Sequence, residues 1–256
     1  MRSILSLSRC AVAAGALFSA TLCAQAATVS LFGVAGTGVG DPLAVPGTVA
    51  AARTAFLVGV TGQLNEEFAR AANLGNVFGN ASTIAGGAIS ATTGTGRFNT
   101  SADPTSAWYQ TTADTTLNLG SDQKAFGLYI TDYGDFDVFM TLELWNDNTP
   151  VYSTGVGALN NLGVPVKPTK GNNSVMFFGL HSSESFDRVV FKLAQKPGVV
   201  CDPDDLGCVV PVDIVGLDSM VVGQLEAPPV DVPEPSSLLL VGLGLLAAAR
   251  AVRRRD

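Results

Sequence analysis

Two acidic turns and one pair of cysteines are the residues whose types and spacing could do chemistry. Asp202, Asp204 and Asp205, with Gly207, lie between Cys201 and Cys208, and Asp132, Asp135 and Asp137 form a second turn. Clustered carboxylates in a glycine-containing loop suit calcium, a hard cation that takes oxygen ligands. The first turn departs from the EF-hand pattern: Leu206 takes the fifth position, and no Glu stands at the twelfth, around Val212 and Asp213. Calcium is thus the one ligand left open; no other cofactor is implied. Cys201 and Cys208 lack the further Cys or His ligands that zinc needs, and they read as a disulfide if the chain meets an oxidising compartment. Closing so short a loop contributes roughly 2.5 kcal/mol if unstrained.

Catalysis finds little support. A Ser-His-Asp triad would have to use His181, the only histidine, which sits in the polar run Leu180-His181-Ser182-Ser183-Glu184 and reads as an exposed turn residue. Paired carboxylates for glycoside hydrolysis carry no weight in a chain this rich in acids. The Gly-rich run 36–40 lacks the lysine of a P-loop and reads as a flexible lead-in. Trp108, Tyr109, Tyr133 and Trp145 are candidates for stacking on a sugar, although such residues more often pack in a core. Asp218 shares an alternation with Met220 and Val222, which makes it a buried acid in need of a partner. If the first and last strands of the body are neighbours, Glu66 or Glu67 comes close to it.

The elements that would position these groups are β-strands. Residues 138–145 put Val138, Met140, Leu142 and Leu144 on one face, and 188–193 alternates Val189, Phe191 and Leu193 against charged or exposed positions. Period-two patterning of this kind marks half-buried antiparallel strands. Further strands are expected at 108–112, 115–119, 125–131, 151–153, 175–180 and 214–222, with turn-forming residues at 132–135 and 146–148. An Ala-rich helix is expected over 49–60 after Pro46-Gly47-Thr48, and 66–68 reads as the strand that opens the sandwich. Many short strands separated by turns point to an all-β, jelly-roll-like β-sandwich with a short N-terminal helix.

Both ends carry targeting patterns. Arg2 and Arg9, an apolar stretch, and Ala24-Gln25-Ala26 describe a signal peptide over 1–26, with signal peptidase cutting after Ala26. Leu22 before Cys23 argues against a lipoprotein. Residues 236–249 are uncharged and are closed by Arg250, Arg253, Arg254 and Arg255. A helix over 236–252 would reach roughly 25 Å, enough to cross a bilayer with mild thinning, and the arginines would act as a membrane stop on the cytoplasmic side. The organisation expected is a signal peptide at 1–26, a lead-in with a short helix at 27–62, a sandwich at 63–225, a linker at 226–231 and a C-terminal signal at 232–256. Between the two signals stand nine Lys/Arg against twenty Asp/Glu, a net charge of −11. So acidic a body repels phosphate backbones and excludes nucleic acid as a partner.

Directly before the apolar stretch stands Val232-Pro233-Glu234-Pro235. This order of motif, apolar segment and terminal arginines resembles the PEP-CTERM sorting signal of Gram-negative bacteria. The resemblance implies an exosortase-type membrane protease as partner, with delivery to the cell surface or extracellular matrix. It also implies a link to exopolysaccharide and biofilm production. Lys124-Ala125-Phe126-Gly127-Leu128-Tyr129, Thr131-Asp132-Tyr133-Gly134-Asp135-Phe136, Phe177-Phe178-Gly179-Leu180 and Gly216-Leu217-Asp218-Ser219-Met220 resemble the jelly-roll-like bodies found upstream of such signals. Together these features lead to the expectation of an exported, non-catalytic surface protein. A carbohydrate-binding module is the alternative, and a secreted hydrolase a more distant one.

Overall fold

A computed structural model describes residues 27–39, 43–68, 73–90, 99–100, 107–133, 139–166, 174–194 and 213–227. The described residues are mostly β: β1 Val29–Thr37, β2 Val60–Glu66, β3 Thr83–Ser90, β4 Trp108–Thr131, β5 Phe139–Asn146, β6 Thr149–Gly155, β7 Ala158–Leu159, β8 Pro165–Val166, β9 Ser174–Ala194 and β10 Val215–Leu225. One helix, α1, spans Gly47–Leu57.

Eight strands form one large sheet in the order β2-β10-β4-β9-β5-β6, with β1 added beside β9 and β3 beside β4. Its shape follows from β4 and β9, which pair antiparallel along most of their length, from Thr131↔Val175 to Thr115↔Phe191. Their register is irregular only around Asn118, Gln123 and Ala125, where both strands turn over together. β10 shows how far they turn. Gly216 pairs with Gln110 on one side and Thr131 on the other, with partner numbers falling as those of β10 rise. The two ends of β4 therefore flank β10 two strand spacings apart, about 10 Å, and run the same way. β4 thus reverses twice: once at the register jump opposite Ala85 and Gly87, and again where it turns over with β9.

One half of the fold then reads β2, β10, the end of β4, the start of β9 and β1. The other reads β3 from Thr83 to Ala85, β4 from Thr115 to Asn118, the end of β9, β5 and β6. Between them lies the main core, to which β5 gives Met140, Leu142 and Leu144, as the alternation predicts, and β9 gives Met176, Phe178, Leu180, Val189 and Phe191. This arrangement is consistent with a β-sandwich. The β5–β6 turn is built by Asp147 and Asn148, both at positive φ (47° and 65°), the conformation of a tight two-residue hairpin.

A second, smaller core forms on the outer face of the first half, where α1 lays Val49 and Phe56 over Ala125, Tyr129, Phe177 and Val221. Gly127 and Gly179 face each other across the β4–β9 ladder and leave room for the Phe56 ring. A Cβ on Gly179 would come within 2.8 Å of Phe56, and one on Gly127 within 3.0 Å. The glycines are the seat of the helix.

Several elements differ from the sequence expectation. The helix ends at Leu57 rather than at 60, because Val58 is extended and Gly59 turns at φ 76°. The strand that follows is Val60–Glu66, so Glu66 closes a strand where 66–68 was expected to open one. Within the expected lead-in, Val29–Thr37 is a strand paired with β9 from Val29↔Ser182 to Thr37↔Ser174. Its small residues Gly33 and Gly36 hid it, yet they have contacts to make: Gly33 lies against Gly157 and Leu159, and Gly36 against Pro46 and Val49.

Candidate functional site

The best-developed polar centre in the body surrounds Asp218, which is fully buried. The register of β10 is irregular between Asp218 and Val221, and Ser219 has φ 47°. This irregularity corrects the expected alternation. Leu217 points into the main core before it, Met220 and Val222 after it, so Asp218 does not share their face.

Its carboxylate accepts three hydrogen bonds from the described residues. Thr100 donates its backbone N–H (2.8 Å) and its Oγ1 hydroxyl (2.7 Å) to Oδ2, while the Ser219 N–H donates to Oδ1 at 2.8 Å. Burial nevertheless dominates and pushes the Asp218 carboxyl up to about 7, with the nearby Glu67 charge adding to the shift. The strand neighbourhood expected from sequence is present, since β2 pairs with β10 and Met220 faces Glu66. The two glutamates divide their tasks. Glu67 accepts from Ser219 Oγ at 2.7 Å. Glu66 accepts from the N–H groups of Phe68 (2.8 Å) and Phe78 (3.0 Å), both at positive φ, and so secures two strained residues. The cluster ties β10, the end of β2 and residues 99–100 together, and Asn99 in turn accepts from the Leu43 N–H.

The other candidates fall differently. His181 is a strand residue of β9 rather than an exposed turn. Its ring lies beside Phe32 and Phe56, its Nε2 is 2.7 Å from the Phe56 carbonyl, and burial lowers its pKa. Trp108, Tyr109 and Tyr133 are buried and present no stacking surface. The Tyr133 hydroxyl donates to the Val156 carbonyl and accepts from the Met140 N–H, and burial raises its pKa to about 12. Trp145 alone is partly exposed, with Arg188 over its ring at 5.0 Å and Nε1 donating to Glu143 Oε2 at 3.1 Å. Glu143 also pairs with Lys192 at 2.7 Å.

Asp132 is buried at φ 58°. Asp135, Asp137, Asp202, Asp204, Asp205, Cys201 and Cys208 lie outside the described residues. Among the described residues no group of three or more His, Cys, Asp or Glu is placed to hold a metal ion. The signal peptide expected at 1–26, Val232-Pro233-Glu234-Pro235 and the arginines 250 and 253–255 also lie outside them. No helix among the described residues is long and apolar enough to cross a membrane.

The all-β body, described as far as Ala227, precedes a C-terminal segment with the pattern of a sorting signal. Residues 231–255 match the family model of the PEP-CTERM protein-sorting motif. The motif implies an exported protein, anchored at its C-terminus in the membrane and then processed by an exosortase, itself a membrane protein. No curated protein matches the chain.

Proposed function

We propose that this protein is a non-catalytic component of the cell surface or extracellular matrix, working alongside secreted polysaccharide in a biofilm. The observation that carries the reading is the sorting motif at 231–255. The body supports it: Asp218, Glu66, Tyr133 and His181 bond to residues that hold the fold together. Export is initiated by the signal at 1–26 and completed when exosortase reads Val232-Pro233-Glu234-Pro235. The two prolines fix φ and favour an extended segment, and Glu234 offers a charge to the protease. Replacing Pro233-Glu234-Pro235 by three alanines keeps the apolar segment and the arginines. In a host that carries the protease, the expected result is a larger, membrane-retained form. A variant that matures like the wild type reduces the motif to a linker.

A second reading, carbohydrate binding, is favoured by Trp145 alone. It sits on β5 in a row with Arg188 and Asn118, set by the cross-strand pairs Trp145↔Arg188 and Asn118↔Arg188. A glycan array with and without calcium, repeated with Trp145→Ala, tests it: selective binding lost in the variant supports it. Turnover of a polysaccharide panel would instead favour a hydrolase and overturn the non-catalytic reading.

A further inference from the structure

We infer that the membrane-held precursor stands on the bilayer by the pole where β4 and β9 double back, and presents the opposite pole outward. The inference rests on the sorting reading above and on the signal expected at 1–26.

Both ends of the described body leave at this pole. At the N-terminal end, Val29 pairs with Ser182 at the turnover of β9. Thr28 is fastened there by two hydrogen bonds: its N–H donates to Ser183 Oγ and its carbonyl accepts from the Ser183 N–H. At the C-terminal end, Gly223 pairs with Ala125, just past the turnover of β4. Gln224 Nε2 donates to the Asp122 carbonyl at 2.6 Å, and the Glu226 N–H donates to Gly59. Between the two exits lie only β4 and β9, so they are three strand spacings apart, about 14 Å. The opposite pole, about 25 Å away along β9, carries the end of β1 at Thr37 and the start of β10 at Val215.

Two tethers at one pole set an orientation that one tether would not. While the signal is uncut it ends at Ala26, two residues from Thr28, so the exit pole must lie close to the membrane. On the other side, Leu225 and Ser236 are joined by a run with proline at 228, 229, 233 and 235, which spans at most about 40 Å and whose composition resists folding back. Partners outside the cell therefore meet the end of β1, the start of β10 and the flanks of the sandwich first.

The test uses the full chain with all four cysteines (Cys10, Cys23, Cys201 and Cys208) replaced by alanine and one cysteine added at an exposed position. Val58→Cys and Asp122→Cys mark the exit pole; Val39→Cys and Ile214→Cys mark the other. Each variant carries a donor dye and is reconstituted into neutral phosphatidylcholine vesicles with acceptor headgroups, which avoids repulsion of the acidic body. Energy transfer several-fold stronger from 58 and 122 than from 39 and 214 is expected. Equal or reversed transfer overturns the orientation. Flotation is read separately: a chain that stays with the soluble fraction overturns the anchoring on which the inference rests. A spin-label pair at Thr28→Cys and Glu226→Cys in detergent tests the geometry without a membrane. A separation near 15 Å supports the common exit, and one above about 30 Å refutes it.

Discussion

The buried carboxyl of Asp218 makes a stability prediction with a definite sign. In the unfolded chain it ionises near its ordinary value of 3.8, whereas in the fold burial holds it protonated up to about 7. Above about pH 4 the unfolded chain gains from ionisation that the folded one does not share. The stabilisation tied to the neutral acid is therefore fully present below the ordinary value and is lost as pH rises through the folded one. The displacement is worth on the order of 4 kcal/mol, at about 1.4 kcal/mol for each pH unit. Other carboxylates titrate over the same range, so the measurement is a difference. Urea unfolding of the wild type and of Asp218→Asn is compared from pH 4 to pH 8. The amide does not titrate, and its poorer match to the Thr100 and Ser219 donors is a constant offset. The wild type should lose stability relative to the variant across this window, by up to several kcal/mol, and level off above it. A difference that stays flat, or grows in favour of the wild type with rising pH, would refute the argument.

Gly179→Ala should destabilise by about 1–3 kcal/mol through overpacking, because its Cβ would meet the Phe56 ring at 2.8 Å. Phe56→Ala should cost about 3–5 kcal/mol, and thermal melts of the double variant should fall short of the sum. His181 should titrate below 6.5 by NMR, since burial disfavours its charged form. The stability tied to its neutral ring is present at neutral pH and is lost as pH falls through that lowered value. Thiol labelling of exported protein should find Cys201 and Cys208 protected until reductant is added; free thiols on correctly localised material would end the disulfide assignment.

Some of this fold was legible in residues and some was not, for physical reasons. The inward faces of β5 and of the second half of β9 followed from alternation, because each strand has one face in the main core. β1 escaped because its contacts require glycine, which breaks any hydropathy pattern. β4 and β9 each read as separate short strands, since the polar residues at their turnover look like loops although both chains continue as strand through it. Asp218 was recognisable as a buried acid beside the β2 glutamates, but not the irregularity at Ser219, which arises from pairing with β4. His181 and the buried aromatics show the same limit. A polar or aromatic residue in a strand does not state which layer will cover it, and here α1 arrives from residues 47–57 to decide the surroundings of His181.

The doubled ribbon also governs when the body can exist at all. Thr115 waits for Phe191, Val29 for Ser182, and β2 and both ends of β4 for β10. Most of the pairings in the large sheet join distant parts of the chain, the kind of topology that folds slowly and as a whole. Among the described residues β10 is the last strand made, and it ends at Leu225, only a few residues before the sorting motif at 231. A chain crossing the membrane N-terminus first therefore has no completed sandwich until its sorting segment has reached the bilayer. Assembly of the body and engagement of the sorting machinery become nearly simultaneous events, with the incomplete sheet held at the membrane while it closes.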